Sequence, residues 1–510
     1  MANSDNIFSL TCDPGIQRDG TSFDSNQYID GQWCRFSGSK GRPKKMGGYQ
    51  KMFSHSGTIP RGIFVVPTSP LPHIYVGDSN SLKYYPANKD TGLAAGAPVD
   101  RTPVLFNANA NNQWSFDLMF DANSDSSIII ASAPQNLYSV EQEVEAPIYY
   151  GKTESNDPLI ETGFYASGGF VMLHPILFIF GNDGYVLYTQ PNDPTKELNK
   201  ARVAGTKIIA GMSTRGGQNS PAGLLWSLDS LIRVSNVGTT DTEFSFDTVS
   251  SSCTLLSANA IVQYNSMFYW VGTDNFYMYN GVVNIWQNNM SINYFFGNIN
   301  FSQRQKVWLT KNKRFSEIWI HYPSKNSQEC DSTLIYCSKY DVWYDSSIFR
   351  GCGVYSQIFG SPIWSDNQTD ANNNYIVWQH ETGTDQVIDD VHTSIQSNFE
   401  TSAMSWAATG PGGQNTATDK TLFLYRLEPD FLQSGDMSLT VNGKEFANSI
   451  DISSTPYIFN NDINSANYKE KIDIREKRRL MTLRFESNTI GGNYEMGNCL
   501  LVPREGDVRP

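Results

Sequence analysis

The sequence is poor in charged residues, which make up 17% of the chain, against about 25% in an average soluble domain. Asn, Ser, Thr and Gly take their place, and these residues favour turns because short polar side chains compete with the helical backbone for hydrogen bonds. Long stretches with helical periodicity are correspondingly scarce. The composition therefore argues against a helical protein and favours a β-rich one.

Long hydrophobic runs are also missing. The most apolar stretch, FVMLHPILFIF at 170–180, is too short to cross a bilayer and contains His174 and Pro175, so we interpret it as buried strand. The first residues, MANSDNIF, carry no cationic segment, and we expect no secretory signal. The seven cysteines are irregularly spaced, which is atypical of a disulfide framework and predicts reduced thiols in a protein made in a cytosol.

No catalytic signature is present: the chain lacks GxSxG, HExxH, a P-loop and CxxC, the motifs of common hydrolases, metalloproteases, nucleotide-binding proteins and redox proteins. Asp389 and Asp390 lie near His392, but neighbouring side chains of a strand point to opposite faces and would not act as a pair. The Asp-box turns of sialidases are also missing. We therefore expect no enzyme activity and no catalytic residue.

The sequence signals for a metal site are equally weak. Cys330, Cys337, Cys352 and His321 do not have the spacing of a structural zinc site. The stretches SDNQTD (365–370) and DANSDS (121–126) resemble calcium loops, but neither ends in a bidentate glutamate at the right offset. We expect neither a metal nor a cofactor.

The chain also lacks an excess of basic residues, since its net charge is −13. Binding nucleic acid by neutralising phosphates requires a basic footprint, so the charge argues against that function for the protein as a whole. It is compatible with a surface that DNA passes without adhering, and also with simple solubility.

Aromatic residues are abundant, and they recur in a pattern of apolar run, turn and aromatic run. The chain of 510 residues suggests two to four domains of about 100–200 residues. Each segment of the pattern predicts strand, tight turn and strand; the segments are 73–85, 127–141, 176–190, 267–281, 333–345 and 375–389, with a degenerate copy at 230–238.

The spacing of these segments predicts a propeller. Their closing tyrosines are Tyr85, Tyr138, Tyr188, Tyr279 and Tyr344. Repeats of about 40–50 residues built from several strands without a helix are typical of β-propellers. We predict an all-β fold with an irregular propeller of six or seven blades over residues 56–394. A succession of hairpins in a sandwich would produce part of the same pattern.

The character of the chain changes after about residue 395. The stretch LMTLRFES alternates at period two, with Met481, Leu483 and Phe485 on one face. VNGK, which includes Asn442 and Gly443, carries the Asn-Gly signal of a hairpin. We predict an additional β-sandwich-like domain over residues 395–510, and an N-terminal arm with β-hairpin elements over residues 1–55.

The arm contains the stretch YIDGQWCRFSGSKGRPKKMGGY, residues 28–49. Its basic run is not followed by a helix, as a phosphate cradle would be, and little basic charge surrounds it. The flanks are typical of strands joined by a glycine-broken connection. We predict that the stretch packs on the protein body or on a neighbouring subunit, with the basic residues meeting acidic ones; the packing and assembly candidates are Tyr28, Trp33, Arg35, Phe36, Arg42, Lys44 and Lys45.

Both ends of the sequence resemble virion structural proteins of short-tailed bacteriophages. The N-terminal resemblance lies in GIQRDGTSFDSNQYIDGQWCRFSGSKGRPKKMGGY, where the matching residues are Gly15, Gln17, Arg18, Asp19, Gly20, Tyr28, Asp30, Gly31, Trp33, Arg35, Phe36, Gly41, Arg42, Pro43, Lys45, Gly47 and Gly48. The C-terminal resemblance lies in RRLMTLRFESNTIGGNYEMGNCLLVPREGDVRP, where they are Arg484, Phe485, Ser487, Asn488, Gly492, Gly497, Gly506, Asp507, Arg509 and Pro510. SGSK at 37–40 departs from the pattern, and the middle of the chain is similar only in general character.

The resemblance implies a tail nozzle, also called a tail tubular or hub protein, of a podovirus-type bacteriophage. Such proteins combine a β-propeller with further β domains, and six copies form a ring below the adaptor and portal. The ring extends the channel through which genomic DNA passes without specific binding, helps retain and release the genome, and supports tail fibres or spikes. Localisation in the virion tail, after synthesis in the bacterial host cytoplasm, is implied in the same way.

A second interpretation is a carbohydrate-binding propeller, either one that recognises a receptor or one derived from a hydrolase. The 11 Trp and 26 Tyr residues could provide platforms for sugars. Large aromatic residues are equally suited to the space between propeller blades, where each buries about 150–250 Å².

Overall fold

The computed structural model describes residues 7–21, 23, 25–38, 40–135, 145–214, 222–238, 243–409, 415–417, 419–446 and 448–508. Nearly all regular structure in these residues is β-strand, beside one short α-helix, α1 (Ile292–Asn298), and 3₁₀ turns at Asn182–Gly184 and Phe301–Lys306. No helix in the described part of the chain combines the length and apolarity that crossing a bilayer requires.

Seven strands occupy the N-terminal region. They are β1 (Phe8–Ser9), β2 (Asp13–Ile16), β3 (Gln27–Tyr28), β4 (Asp30–Gln32), β5 (Cys34–Ser37), β6 (Arg42–Lys45) and β7 (Tyr49–His55). Five of them join larger sheets, and β2 and β3 pair with each other.

Six four-stranded antiparallel sheets follow, each a meander of consecutive strands. Blade one contains β8 (Gly62–Val66), β9 (His73–Gly77), β10 (Leu82–Pro86) and β11 (Val99–Asp100). Blade two contains β12 (Ser115–Asp121), β13 (Ser126–Ser132), β14 (Ala146–Lys152) and β15 (Ile160–Ala166). Blade three contains β16 (Gly169–Leu173), β17 (Ile176–Phe180), β18 (Tyr185–Thr189) and β19 (Glu197–Arg202).

The next three blades repeat the arrangement. Blade four contains β20 (Ile208–Ser213), β21 (Ala222–Ser227), β22 (Leu231–Asn236) and β23 (Phe244–Ser250). Blade five contains β24 (Ile261–Tyr264), β25 (Met267–Val271), β26 (Phe276–Tyr279) and β27 (Val283–Ile285). Blade six contains β28 (Trp308–Asn312), β29 (Glu317–Tyr322), β30 (Ser332–Cys337) and β31 (Val342–Ser347).

The seventh blade closes the ring by combining three late strands with one strand from the N-terminal region. It contains β32 (Cys352–Ser356), β33 (Ser361–Thr369) and β34 (Tyr375–His380), and its fourth strand is β7, which pairs antiparallel with β34. Beyond β7 lie β35 (Gln386–Ile388), parallel to β7, and β36 (Val391–Thr393). The inner strand β32 contacts β8 of blade one. The strands from β7 to β36 therefore form a β-propeller of seven blades.

A buried network of hydrogen bonds connects the closing strand to blade one. His55 Nε2 of β7 lies 2.8 Å from Asp78 Oδ2, and His55 Nδ1 lies 2.9 Å from the Tyr85 hydroxyl. The carboxylate of Asp78 also accepts hydrogen bonds from the backbone N–H groups of Asn80 and Ser81. Burial would raise the pKa of Asp78, but the hydrogen bonds from His55 and these N–H groups hold it below its ordinary value.

The burial of each strand follows its place in a blade. In β17, all five residues are buried, because this second strand packs against both neighbouring blades. In β19, the fourth strand of the same blade, four of the six residues are exposed. The run 170–180, predicted as buried strand, forms two buried strands, β16 and β17, joined by a turn in which His174 is exposed and Pro175 is half-buried.

The C-terminal strands form further sheets. They are β37 (Ser397–Glu400), β38 (Met404–Ser405), β39 (Ala407–Thr409), β40 (Asn415–Ala417), β41 (Lys420–Glu428), β42 (Phe431–Ser434), β43 (Met437–Lys444), β44 (Ile452–Ser453), β45 (Tyr457–Phe459), β46 (Ile472–Arg478), β47 (Leu480–Ser487), β48 (Asn493–Met496) and β49 (Leu500–Val508). One sheet has the order β1-β49-β41-β46, a second has β4-β37-β47-β43-β44, and a third has β42-β48-β6-β5. Inward side chains of all three belong to one hydrophobic cluster.

Strand pairing divides the predicted arm of residues 1–55 between the two bodies. Strands β1, β4, β5 and β6 join the C-terminal sheets, whereas β7 belongs to blade seven. The boundary predicted near residue 395 lies between β36 and β37. The C-terminal domain is therefore built from both ends of the chain.

Candidate functional site

The stretch 28–49 runs along the junction between the propeller and the C-terminal domain. Within it, β4 pairs with β37 and β6 pairs with β48, both in the C-terminal domain. A few residues later, β7 pairs with β34 of blade seven. The stretch therefore connects the two bodies through main-chain hydrogen bonds, and its side chains form the candidate site.

Trp33 contacts three parts of the protein at once. Its backbone N–H donates to Ser346 Oγ of blade six (3.2 Å), and its carbonyl accepts from Ser397 Oγ of β37 (3.0 Å). The indole Nε1–H donates to the Gly47 carbonyl (3.1 Å), and the ring lies edge-on to Trp319 of blade six at 6.2 Å. Trp33 is 3% exposed and has a φ of +51°, a backbone conformation rare for a large residue and held here by these contacts.

Tyr28 and Phe36 extend the same core in both directions. Their rings lie 5.2 Å apart, Phe36 contacts Tyr344 of blade six at 5.5 Å, and Tyr28 meets Phe399 of the C-terminal domain edge-on at 5.7 Å. Both side chains are almost completely buried, at 2% and 1% exposed. The three aromatic candidates therefore lie inside a continuous core rather than on a free surface.

Arg35 forms the charged centre of the junction. Its Nε donates to Glu317 Oε1 at 2.8 Å, and its Nη1 donates to Glu381 Oε2 at 3.0 Å. Its guanidinium lies over the ring of Phe315, 3.5 Å from the centroid. Glu317 begins β29 of blade six and Glu381 follows β34 of blade seven, so one arginine from the arm links two blades.

The cluster excludes water and carries more negative than positive charge. The side chains of Arg35, Glu317 and Glu381 are 2%, 1% and 9% exposed. Burial raises the pKa of Glu317 above its ordinary value and the nearby Glu381 adds to this, although Arg35 opposes both. Burial alone would lower the pKa of the Arg35 guanidinium, but the two carboxylates hold it above its ordinary value.

Further donors complete the hydrogen bonding of the buried glutamate. The Tyr344 hydroxyl donates to Glu317 Oε1 at 2.8 Å, and Trp319 Nε1–H donates to Glu317 Oε2 at 2.9 Å. A buried ion pair persists only when its lone pairs are satisfied in this way. The arrangement fixes the geometry of the junction.

The basic residues of the stretch are turned toward the C-terminal domain. Lys45 Nζ is buried and donates to the Gly492 carbonyl at 2.8 Å; burial lowers the pKa of this amine to about 8, against the attraction of Asp385. Lys44 forms an ion pair with Glu495 at 2.8 Å, and Arg42 Nη2 donates to Asn498 Oδ1 at 3.2 Å. All three basic side chains therefore make contacts within the chain.

The axis of the propeller contains a cavity of about 350 Å³ lined by the inner strands of all seven blades. Apolar side chains such as Phe64, Phe116 and Val354 form much of its wall. Two charged side chains reach it: Arg61, which is bound to both oxygens of Glu329 at 2.8 Å, and Asp117, whose pKa is raised by burial. A cavity of this size matches a small molecule at most.

The cysteines considered as zinc ligands have other partners. Cys330 Sγ donates to the Lys306 carbonyl at 3.2 Å, and Cys337 Sγ donates to the Phe315 carbonyl at 3.7 Å. His321 Nδ1 lies 3.0 Å from Thr333 Oγ1. Among the residues that the structure describes, no three His, Cys, Asp or Glu side chains are grouped as metal ligands would be.

Sequence reasoning selected Arg35 but missed both of its partners. A signal for Glu317 exists, because this residue opens EIWIHY, a strand whose six residues are all buried, and a carboxylate in such a strand requires a partner. Glu381 has no comparable signal, since it lies in a polar turn.

Comparison with known proteins finds no related sequence and only weak structural similarity. No protein-family model matches the chain, and no curated protein matches it. A chain of the mitotic checkpoint complex is similar over 64% of this chain and 93% of its own length, with 10% identity and a TM-score of 0.38. Raptor from Chaetomium thermophilum is similar over 66% of this chain and 29% of its own, with 9% identity and a TM-score of 0.41. At such scores the likeness carries no argument, and the seven-bladed propeller rests on strand topology.

Proposed function

We propose that this chain is a structural protein of a short-tailed bacteriophage virion, six copies of which form a tail nozzle ring below the portal and the adaptor protein. One observation carries the proposal. The two ends of the sequence that resemble such proteins are far apart in the chain, yet β6 and β48 pair as strands of one domain, and Asp30 forms an ion pair with Arg484. The two stretches that resemble the phage proteins therefore belong to the same folded domain.

The matching residues include several with a structural reason for their identity. A Cβ atom on Gly48 would lie 2.2 Å from the Asp385 carbonyl oxygen, and one on Gly497 would lie 2.1 Å from Asp430 Oδ2. Trp33 and Arg35 are the residues that fasten the arm to the propeller. The residues shared with the family are thus architectural. Arg509 and Pro510, which also match, lie outside the described residues.

In this proposal, DNA passes through the central channel of the six-copy ring and not through the axis of a single propeller. The propeller cavity of about 350 Å³ is far too small to admit a DNA duplex. With Lys44 and Lys45 engaged inside the chain and a net charge of −13, the protein offers little that would displace counterions from DNA. Genomic DNA would pass along the ring axis without specific binding, and the ring would help retain it until release.

In this proposal the chain catalyses no reaction and works through contacts with the adaptor protein and with tail fibres or spikes. It would be made in the host cytoplasm and reside in the virion tail. Antibodies against the purified protein test this directly, because they should label one vertex of intact particles, at the tail. Labelling absent from the tail would refute the proposal, and selective binding on a glycan array would favour the carbohydrate-binding alternative.

A further inference from the structure

The negative charge of this protein is concentrated in one part of the propeller. Residues 56–394 hold 31 of the 51 Asp and Glu residues but only 19 of the 38 Lys and Arg residues. Residues 115–202, which form blades two and three, hold 12 acidic and 4 basic residues. Blades two and three therefore form an acidic region.

The outer strand of blade two presents this charge on an open sheet edge. Strand β15 is the last strand of its sheet, and no described strand pairs with its outer side. Glu161 is exposed within this strand, and Glu154 and Asp157 are exposed in the loop that precedes it. None of the three forms an ion pair with another described residue. Ile160, which is 56% exposed, adds an apolar surface. We call these four residues the acidic edge.

A second open edge, of opposite charge, lies in the C-terminal domain. Strand β46 is the last strand of the sheet β1-β49-β41-β46. Residues 469–479 contain six Lys and Arg residues and three Asp and Glu residues. Lys469, Lys471 and Arg475 are exposed, and within the described part of the chain none of them forms an ion pair. We call these three residues the basic edge.

The two edges lie on parts of the chain that do not meet. The C-terminal domain and its arm strands attach to blades six and seven, through β31 and β7. In the ring of seven, blade two is three blades away from blade six and two blades away from blade seven. Among the described strands, β15 makes its main contacts with β14 and β17, and β46 makes its main contacts with β41, β43 and β45. Each edge is therefore open to another molecule.

We propose that the basic edge of one copy of this chain docks on the acidic edge of the next copy. Complementary charge identifies the occupant as a second copy, because a single chain carries both halves of the interface. The two halves are different surfaces, so the contact is head-to-tail and repeats until a ring closes. This inference rests on the proposed ring and names the surfaces that would build it.

The edges are shaped for contact through side chains and not for a continuous β-ladder. Gly163 in β15 has a φ of +87°, and Arg475 in β46 has a φ of +58°. Both strands also show a register shift against their neighbours. Such irregularities hinder direct strand addition at an edge. An interface made by charged side chains is screened by salt, so association should weaken as ionic strength rises.

Charge reversal tests the interface in two complementary variants. Variant A carries Glu154→Lys, Asp157→Lys and Glu161→Lys, and variant B carries Lys469→Glu, Lys471→Glu and Arg475→Glu. All six positions are exposed, so both variants should fold. In sedimentation velocity at low salt, each should self-associate at least about tenfold more weakly than the wild type. An equimolar mixture of A and B should recover association, because every A–B contact then pairs opposite charges.

A control separates this site from an effect of net charge. Asp90→Lys, Asp390→Lys and Asp419→Lys together change the charge as variant A does, at exposed positions elsewhere, and should leave association unchanged. The proposed docking surfaces would be refuted by any of three results: variants A and B associate as strongly as the wild type, the mixture of A and B does not recover association, or the control variant loses association. If micrographs then still showed wild-type rings, the proposed function would stand without them; a wild type that stays monomeric at low salt would refute both.

Discussion

Replacing Arg35 with methionine should destabilise the junction between the propeller and the C-terminal domain more than any exposed charge change. The substitution leaves Glu317 and Glu381 buried beside each other without a counter-ion, at 1% and 9% exposed. Removing one partner of a buried ion pair costs about 3–5 kcal/mol. We expect a loss of this size in the free energy of unfolding, measured by urea denaturation and tryptophan fluorescence.

Two further variants make the reasoning refutable. Lys44→Met removes an ion pair whose side chains are 35% and 39% exposed, so it should cost no more than about 1 kcal/mol. Combining Arg35→Met with Glu317→Gln and Glu381→Gln removes the uncompensated charges and should restore most of the stability. An Arg35→Met protein within about 1 kcal/mol of the wild type, or a triple variant no more stable than the single one, would refute the ionic account.

Three other expectations follow from the same contacts. Trp33→Ala should cost about 3–5 kcal/mol of stability or abolish assembly, and unchanged thermal stability with normal particles would contradict its role in the core. Because burial raises the folded-state pKa of Glu317, the stability that this shift contributes is complete below the unfolded pKa of about 4.3 and is lost as the pH rises through the folded pKa. The free energy of unfolding of Glu317→Gln should therefore increase relative to that of the wild type as the pH rises above about 4.3, and urea midpoints of the two proteins that run parallel above this pH would refute the expectation. Duplex DNA should show no measurable binding near 150 mM salt in an anisotropy titration, and residual binding at low salt should disappear in Lys40→Glu/Lys44→Glu; micromolar binding indifferent to both substitutions would reveal a basic surface elsewhere.

The choice of lysines for the DNA experiment depends on the structure. Sequence reasoning alone points to Lys44 and Lys45, the adjacent pair in the basic run. Lys45 is buried and bound to the Gly492 carbonyl, so its reversal would damage the fold and not test DNA binding. Lys40 is exposed and takes its place.

The propeller could be predicted because each blade contains a local hairpin that the sequence itself encodes. The segments 73–85, 176–190 and 267–281 are the hairpins β9–β10, β17–β18 and β25–β26. The degenerate copy near 235 is β22, in blade four. The closing residues of the segment 127–141, including Tyr138, lie outside the described residues.

Contacts between distant parts of the chain could not be read from local patterns. The segment 375–389 was predicted to be a hairpin, and this is wrong: β34 and β35 do not pair, because β7 lies between them. The hairpin predicted at Asn442–Gly443 is also wrong, since both residues lie inside β43. Gly443 is needed there because a Cβ would lie 2.4 Å from the Arg478 side chain, an approach that no local signal indicates.

The C-terminal domain shows the same contrast. The period-two pattern of residues 480–486 correctly predicts that Met481, Leu483 and Phe485 face the core, where all three are fully buried. The partners that complete the core come from the arm, more than 350 residues away, as in the contact between Tyr28 and Phe399. Local periodicity identifies which face is buried, but it does not identify what covers that face.

The central claim, a ring of six copies in a phage tail, is tested most directly by electron microscopy of the purified protein at low salt. Class averages should show closed rings with six-fold symmetry around an open channel, in which each seven-bladed propeller faces the C-terminal domain of its neighbour. Particles that remain single propellers with an attached β domain, or assemblies without six-fold symmetry, would contradict the account.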